Sequence, residues 1–174
     1  MVSHETIHKA RRNMNDPRPG ARRPRHVELD LEHFLPYRLS VLSNRVSDSI
    51  FRMYAERFDL GVTEWRVMAV LGRYPDLSAG EVAQRTAMDK VAVSRAVARL
   101  VEAGRLRRET HGDDRRRSVL RLSADGYRIY DEVAPLAIEF EQRLLKGMQP
   151  AERDLLFRLL DRLDELELQA EGGT

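Results

Sequence analysis

Residues 77–122 of this 174-residue chain constrain its fold more than any other stretch. Ser78 and Glu81 have the spacing of a capping box, in which each side chain binds the backbone N–H of the other residue, so they predict a short helix beginning at Ser78. Asp89 is a suitable N-cap for a second helix, and Gly104 supplies the residue type that commonly ends one. The stretch therefore opens with a short helix, a turn and a second helix.

The second helix separates apolar from polar side chains. Its apolar face on a helical wheel consists of Val93, Ala96, Val97 and Leu100. The other positions carry mostly small or basic side chains, namely Lys90, Val91, Ala92, Ser94, Arg95, Ala98, Arg99 and Glu102. Small side chains allow close approach to base edges, and lysine or arginine can reach guanine acceptors or phosphates. This face is therefore a candidate DNA-reading surface.

A basic hairpin follows the second helix. Two short strands are expected at 106–110 and 118–122, and alternation turns three leucines inward: Leu106, Leu120 and Leu122. The tip between the strands contains Asp113, Asp114, Arg115, Arg116 and Arg117. Three consecutive arginines repel one another unless negative charge compensates, which Asp114, a phosphate backbone or a narrow minor groove can provide. The order of these parts predicts a winged helix-turn-helix, which places a helix in the DNA major groove and a basic hairpin beside it.

Helices are also predicted before residues 77–122. An apolar stripe at spacings of three and four is formed by Leu35, Leu39, Leu42, Val46, Ile50 and Met53. Pro36 lies either in the first turn of this helix or between it and a short turn at 30–35. Thr63 is expected to cap the next helix, which ends before Pro75.

The C-terminal part of the chain is predicted to be helical as well. Ser123 is expected to cap a long helix, and Pro150 to begin the last one. The last helix carries a wide stripe made of Leu155, Leu156, Leu159, Leu160, Leu163 and Leu166. So wide an apolar arc needs more partners than one small domain offers, which favours a dimer.

Positive charge is concentrated in two parts of the chain. Residues 1–27 and 78–122 each carry a net charge of +5, whereas residues 28–77 carry −2 and residues 123–174 carry −6. The pattern is either chance clustering of solvated charges or an electrostatic footprint for phosphate. The proline-containing start shows no hydrophobic periodicity and predicts a mobile arm, which either touches DNA nonspecifically or serves as a solubilising tail.

Several classes of protein are excluded or disfavoured by composition. The chain has no cysteine, which excludes disulfides, cysteine zinc sites and thiol redox sensing, and its five histidines lack ligand spacing, so neither a metal nor another cofactor is expected. No apolar run is long enough to span a membrane and no secretory segment opens the chain, so a cytoplasmic location is expected. An enzyme is not expected, because no nucleophile–base pair or glycine-rich phosphate loop is present and Asp113-Asp114 adjoins arginines.

Five short motifs follow one another along the chain. They are Glu64-Trp65-Arg66-Val67-Met68, Lys90 followed by Val93-Ser94-Arg95, Leu100-Val101-Glu102-Ala103-Gly104, Asp114-Arg115-Arg116, and Leu122-Ser123-Ala124-Asp125-Gly126. With the helices around them, over roughly residues 33–168, these motifs resemble the MarR family of bacterial transcriptional regulators. The resemblance implies a mainly α fold with a small β-hairpin, in which a winged helix-turn-helix is flanked by long dimerisation helices.

The resemblance also implies an organisation and a function. A basic arm would occupy residues 1–28, helical dimerisation regions 29–60 and 123–170, and the DNA-binding region 61–122. The protein would bind double-stranded DNA as a homodimer at a pseudo-palindromic operator, usually as a repressor, and a small aromatic acid or its CoA thioester would release it. The alternative is a winged helix for architectural DNA binding or protein contact, without a ligand switch.

DNA-binding residues follow from the helix face, the hairpin tip and the resemblance together. They are Ser78, Lys90, Val91, Ala92, Ser94, Arg95, Arg99, Asp114, Arg115, Arg116 and Arg117. Asp114 and Arg116 match the family's wing pair, in which the arginine enters the minor groove. The run of three arginines leaves open which of them is inserted.

A second resemblance concerns the effector. The segment Phe34-Leu35-Pro36-Tyr37-Arg38-Leu39 is similar to a MarR subgroup that controls aromatic-compound catabolism. Effector contacts are therefore expected at Phe34, Tyr37, Arg38, Trp65 and Arg66. The alternatives are a core position for Trp65 and a dimer-interface role for the first three residues.

Overall fold

The computed structural model describes residues 26–110 and 118–166. These residues form α1 (Leu35–Phe58), α2 (Val62–Arg73), α3 (Ala79–Thr86), α4 (Lys90–Glu102), β1 (Leu106–Thr110), β2 (Ser118–Leu122), α5 (Ala124–Leu145) and α6 (Pro150–Asp164). The predicted mainly α fold with a small β-hairpin is confirmed. The chain divides into two compact units, one ending at Leu39 and the other beginning at Ser40, and α1 starts in the first unit and continues in the second.

Helix α1 begins just after a turn at residues 31–33. Pro36 is the second residue of the helix, where the missing N–H of proline has no intrahelical acceptor to lose. The structure combines the two placements predicted for Pro36. A short turn precedes the helix, and Pro36 lies in the first turn of the helix.

The helix-turn-helix forms where its caps predict it. Ser78 caps α3 by accepting a hydrogen bond from the Glu81 N–H, and Asp89 caps α4 by accepting one from the Ala92 N–H. Between the helices Ala87 adopts a left-handed conformation with φ of 50°, and Gly104 after α4 does so with φ of 70°. Glycine suits the second position because it has no Cβ to oppose a positive φ.

The predicted cap of α2 is wrong by two residues. The N-cap is Gly61, and Thr63 lies inside the first turn. The reason is Glu64, whose carboxylate reaches back and accepts a hydrogen bond from the Gly61 N–H at 2.6 Å. A glutamate at the third helical position satisfies one of the unpaired N–H groups and favours the positive end of the helix dipole, so a threonine cap is not needed.

The hairpin has the predicted bounds and inward residues. Strands β1 and β2 pair antiparallel with Leu106 opposite Leu122, and the Leu106, Leu120 and Leu122 side chains are buried. The structure adds a third partner that the alternation did not indicate, because Leu77 forms a β-bridge with Leu120. The Leu120 N–H donates to the Leu77 carbonyl at 2.8 Å, so the segment before α3 is fastened to the hairpin.

A single hydrophobic core lies in the unit beginning at Ser40. Its buried members come from α1, the loop before α2, α2, α3, α4, both strands and α5: Tyr54, Phe58, Leu60, Trp65, Val67, Met68, Leu71, Val82, Ala83, Val93, Ala96, Val97, Leu100, Leu106, Leu120, Leu122, Ile129 and Val133. The predicted apolar face of α4 is among them. Helix α4 therefore has a fixed inner side and a fixed outer side.

The apolar stripe of α6 has a different environment. Among the described residues, no side chain of α6 is buried, and Leu155 and Leu159 are 48% and 45% exposed. Leu144 near the end of α5 is also exposed. No helix within residues 26–110 and 118–166 is long and apolar enough to cross a bilayer.

Candidate nucleic-acid interface

Helix α4 presents small and basic side chains to solvent. Lys90, Ser94 and Arg95 are exposed, Val91 is 55% exposed, and Ala92 is half-buried. The opposite face is packed in the core, so these side chains cannot turn inward without unfolding the domain. A helix with side chains is about 10–12 Å across and the B-DNA major groove is about 12 Å wide, so a face of this kind can enter the groove.

The start of α4 is held firmly in the turn that precedes it. The Asp89 carboxylate accepts a hydrogen bond from the Ala92 N–H at 2.9 Å. The Met88 N–H donates to the Ala83 carbonyl at 3.2 Å, and the Met88 side chain packs against the core. The orientation of Lys90 relative to α3 is therefore set by backbone contacts within the helix-turn-helix.

Ser78 lies at the start of α3, and its hydroxyl takes part in the capping box. It donates to the Glu81 carboxylate at 2.7 Å and accepts from the Glu81 N–H at 3.2 Å, while the Ser78 N–H donates to the same carboxylate at 2.7 Å. These bonds orient the first turn of α3. Contact of Ser78 with DNA stays a prediction.

Arg99 lies on the flank of α4 and pairs with a side chain of α2. Its Nη1 donates to Oε1 of Glu64 in α2 at 3.2 Å, forming an ion pair. The Glu64 side chain is 10% exposed and the Arg99 side chain 76% exposed, so the pair lies at the edge of the core. Arg99 is thus directed toward α2, unlike Arg95, and its expected DNA contact stays a prediction.

Arg105, in the segment between α4 and β1, contacts the end of α1. Its guanidinium donates to the carbonyls of Phe58 and Asp59, at 2.5 and 3.1 Å. The Arg105 carbonyl accepts from the Ser123 N–H at 3.0 Å, and Ser123 Oγ donates to the Gly104 carbonyl at 2.6 Å. The exit from α4 is consequently tied to both α1 and the start of α5.

The hairpin tip lies outside the described residues. The expected DNA contacts at Asp114, Arg115, Arg116 and Arg117 belong to it. Beside it, Arg107 and Arg108 on β1 are exposed. On β2, Arg121 pairs with Asp76 and, at 3.6 Å, with Glu109; the hydrogen bond to Asp76 raises the pKa of Arg121. Arg121 therefore fastens the hairpin to the segment before α3.

Two of the expected effector residues are engaged within the protein. The Trp65 ring is 9% exposed and packs between the rings of Tyr54 and Tyr130, at centroid distances of 5.7 and 6.1 Å. Arg66 is half-buried, and its Nη2 donates to Ser47 Oγ at 2.6 Å. Trp65 is thus a core residue, which was the alternative reading of the sequence.

The other three expected effector residues lie in the unit that ends at Leu39. Phe34 is 39% exposed and Tyr37 44% exposed, and Arg38 is exposed. The Arg38 N–H donates to the Phe34 carbonyl as part of the first turn of α1. Their contact with an effector or a partner subunit stays a prediction.

Burial changes the ionisation of Tyr54, which packs against Trp65. Desolvation raises the pKa of Tyr54 to about 12; Glu64 acts in the same direction and Arg66 opposes it. The side chain therefore stays neutral in the folded protein well above the ordinary range of tyrosine. Tyr54 serves the core rather than acid–base chemistry.

Several contacts around the site were not foreseen from the sequence. One is the hydrogen bond from the Gly61 N–H to the Glu64 carboxylate, although the spacing of the two residues is that of a capping pair. The Tyr74 ring is contacted by the guanidinium groups of Arg73 and Arg85, at 4.9 and 4.3 Å from its centroid. No sequence signal identifies such a pairing, because it depends on how α2 and α3 pack. Among the described residues no cluster of three or more potential metal ligands occurs.

The sequence is similar to known transcriptional regulators. A model of the MarR family matches residues 58–117. The HTH-type transcriptional regulator BilQ of Clostridium symbiosum (strain WAL-14163) is 29% identical over 93 residues, which are 53% of this chain and 65% of BilQ, slightly less than two thirds of that protein. The HTH-type transcriptional repressor IacR of Pseudomonas putida is 25% identical over 138 residues, 79% of this chain and 82% of IacR.

Solved structures share the fold. A MarR/EmrR family transcriptional regulator from Acinetobacter sp. ADP1 matches with a TM-score of 0.72 and 31% identity, over 78% of this chain and 96% of that one. BpsR of Bordetella bronchiseptica, solved in a study of how 6-hydroxynicotinic acid regulates its DNA binding, matches with a TM-score of 0.70 and 22% identity. That match covers 81% of this chain and all of the BpsR chain, and it is a likeness of fold.

Proposed function

Since the chain belongs to the MarR family of winged-helix transcriptional regulators, we propose that it represses transcription as a homodimer bound to a pseudo-palindromic operator and is released by a small aromatic effector. The observation that carries the proposal is the outer face of α4. It combines exposed basic and small side chains with an inner face fixed in the core. In the dimer, two such helices enter successive major grooves about 34 Å apart.

Individual residues of this face have separate roles in the proposal. Arg95 and Lys90 donate to base edges or phosphates, and Val91, Ala92 and Ser94 allow the helix to approach the bases closely. Ser78, at the start of α3, contacts the sugar–phosphate backbone of the DNA. The wing residues Asp114, Arg115, Arg116 and Arg117 follow the groove beside α4, with one arginine in the minor groove and Asp114 bracing it.

The base contact proposed for Arg95 can be tested on a DNA duplex selected for binding to the wild-type protein. A duplex is selected from a random library by repeated binding to the wild-type protein and compared with random duplex of equal length. Arg95→Ala should weaken binding to the selected duplex by about 1–3 kcal/mol and relax specificity at one position. Equal competition by selected and random duplex would contradict sequence-specific regulation. It would favour the second candidate, an architectural or protein-contact winged helix without a ligand switch.

The wing can be tested by salt dependence. Arg116→Ala should weaken binding to selected and random duplex alike and reduce the salt slope by about one, because one phosphate contact is lost. Arg107→Ala, at an exposed position on β1, is the charge-matched control. An unchanged slope in Arg116→Ala would remove this arginine from the interface.

The homodimer is supported by the apolar surface that a single chain leaves exposed on α6 and at the end of α5. Leucines on so wide an arc are unfavourable in water unless a partner covers them. Leu159→Glu should therefore shift the protein toward monomer in sedimentation or light-scattering measurements, whereas Arg158→Glu beside it should have a smaller effect. A wild-type protein that is monomeric at micromolar concentration would exclude this part of the proposal.

Effector release is supported by the likeness to BpsR, whose DNA binding is regulated by 6-hydroxynicotinic acid. In this chain the half-buried Arg66 of α2 is the proposed partner for a carboxylate of the effector. Thermal unfolding and DNA release are measured with 6-hydroxynicotinic acid, benzoic acid and benzoyl-CoA. A compound that both stabilises the free protein and releases the selected duplex is expected, since an effector must bind the two states unequally. Arg66→Ala should weaken that response.

A further inference from the structure

We propose that Arg99 is a positioning residue, which holds the second half of α4 against α2 through Glu64 instead of contacting DNA. The inference rests on the proposed function, because it assumes that the first half of α4 reads DNA. The sequence groups Arg99 with the DNA-contacting residues, whereas in the tertiary structure its side chain pairs with Glu64.

The carboxylate of Glu64 is stabilised by its ion pair with Arg99. Its side chain is only 10% exposed, and a carboxylate removed from water is unfavourable unless hydrogen bonds or opposite charge compensate. One oxygen accepts from the Gly61 N–H and the other from Arg99 Nη1. The two oxygens therefore have separate partners, and Arg99 supplies the only full positive charge among the partners described for this carboxylate.

The surroundings of Arg99 support the same assignment. It borders a cavity of about 610 Å³, together with the last turns of α1, the start of α2 and the end of α4. Phe51, Leu60 and Leu100 form the apolar part of its lining. Arg95, one turn earlier, is not among the lining residues. The two arginines of α4 thus occupy different environments.

A second tie acts at the same end of the helix. Arg105 donates to the carbonyls of Phe58 and Asp59, so the segment leaving α4 is joined to the end of α1. Together the contacts of Arg99 and Arg105 restrain the C-terminal end of α4 from two sides. Lys90 and Arg95 lie in the N-terminal half, away from these two restraints.

This restraint affects the position of Lys90 and Arg95, because tilting one end of a helix displaces the residues at its other end. Lys90 and Arg99 are separated by about 13.5 Å along the helix axis. A tilt of about 5° about the held end moves Lys90 by about 1 Å, which is enough to misalign a bidentate contact with a base. Loss of the ion pair should therefore reduce discrimination between sequences more than nonspecific attraction to DNA.

The test uses full-length Glu64→Gln, Arg99→Gln and the double variant on the selected duplex and on random duplex. Glutamine at position 64 keeps an oxygen to cap Gly61 but removes the charge that pairs with Arg99. Glu102→Gln, an exposed change on α4, is the charge-matched control for Glu64→Gln. Arg95→Gln, also exposed, is the control for Arg99→Gln and tests the proposed function separately. Circular dichroism verifies that each variant is folded.

Each single variant should weaken binding to the selected duplex roughly 3- to 10-fold, and the double variant should be no weaker than either single one. Binding to random duplex and the salt slope should stay at the wild-type values. A salt slope reduced by about one in Arg99→Gln, with unchanged or tighter binding by Glu64→Gln, would show that Arg99 contacts phosphate and overturn the proposal. Wild-type specificity in a folded Arg99→Gln variant would overturn it as well.

Failure of the proposed function gives a different result. In that case Arg95→Gln leaves the preference for the selected duplex unchanged, or no duplex can be selected at all. An effect of Arg95→Gln without one of Glu64→Gln and Arg99→Gln contradicts only the positioning role.

Discussion

Helices α4 and α6 are similar in sequence pattern but differ in environment. They contain 13 and 15 residues, and each carries an apolar stripe on one side and charged residues on the other. The stripe of α4 is buried, with Val93 and Val97 fully inaccessible to solvent. The stripe of α6 contains no buried side chain among the described residues.

The difference shows that amphipathicity specifies a face but not its partner. Helix α4 is followed by a turn and a hairpin that bring its stripe against α2, α3 and the strands. Helix α6 follows a long helix and finds no equivalent set of partners within the described chain. Removing an apolar side chain from the stripe should therefore affect the folding of the domain in α4 and the assembly of the protein in α6.

The largest effect is expected from a cavity in the packed stripe. Leu100 is 1% exposed, so Leu100→Ala should lower the free energy of unfolding by about 2–5 kcal/mol. Leu159→Ala, at a site that is 45% exposed, is the matched change in α6 and should lower it far less in dilute protein. Urea unfolding followed by circular dichroism measures both. Equal losses would mean that the two stripes are packed alike.

The next comparison concerns two glycines, Gly126 in the first turn of α5 and Gly147 in the turn before α6. A Cβ on Gly126 would lie 2.1 Å from the Arg105 carbonyl oxygen, whereas one on Gly147 would have nothing within 4 Å. Gly126→Ala should destabilise the protein by about 1–3 kcal/mol, since backbone must move to relieve the clash. Gly147→Ala should have little effect. Thermal unfolding of the two variants provides the measurement, and a stable Gly126→Ala would contradict the close approach of α5 to Arg105.

A smaller effect is expected at the helix caps. Ser123 Oγ accepts from the Gly126 N–H at 3.0 Å and donates to the Gly104 carbonyl, whereas Gln149 at the start of α6 makes no side-chain cap. Ser123→Ala should cost about 1–2 kcal/mol in the free energy of unfolding. Gln149→Ala should be close to neutral. A larger loss in Gln149→Ala than in Ser123→Ala would reverse the comparison.

The smallest effect should appear only at alkaline pH. Because burial raises the pKa of Tyr54 from 10.0 to about 12, the neutral side chain is favoured by folding. Its contribution to stability is fully present below pH 10 and is lost as the pH rises toward about 12. Tyr54→Phe should therefore lose less stability than the wild type over this interval, and tyrosinate absorbance should show one fewer late-titrating group. Parallel pH profiles of the two proteins would contradict this assignment.

Local features of the fold were predictable because their causes lie within a few residues. The Ser78–Glu81 capping box and Asp89 gave the starts of α3 and α4, and strand alternation gave Leu106 and Leu120 as inward residues. Contacts across the chain were not predictable in this way. The bridge between Leu77 and Leu120 joins residues far apart in the sequence, and no periodicity within either segment indicates it.

For the candidate DNA-reading face, too, local features were predictable and contacts across the chain were not. The helical wheel separated the buried face of α4 from its outer face correctly, since that separation depends only on helical geometry. The expected DNA contacts included both Arg95 and Arg99, although the structure pairs Arg99 with Glu64, 35 residues earlier. Trp65 was assigned two possible environments, and the rings of Tyr54 and Tyr130 decided in favour of the core.

The sequence by itself determined the helices, all of their predicted caps but that of α2, the hairpin and the family, because these follow from short-range spacing and from motifs in a fixed order. The tertiary structure decided which polar side chains of those elements face solvent and which are bound within the protein. The physical reason is that a buried charge such as Glu64 requires a partner, and only the packing of α2 against α4 brings Arg99 within reach.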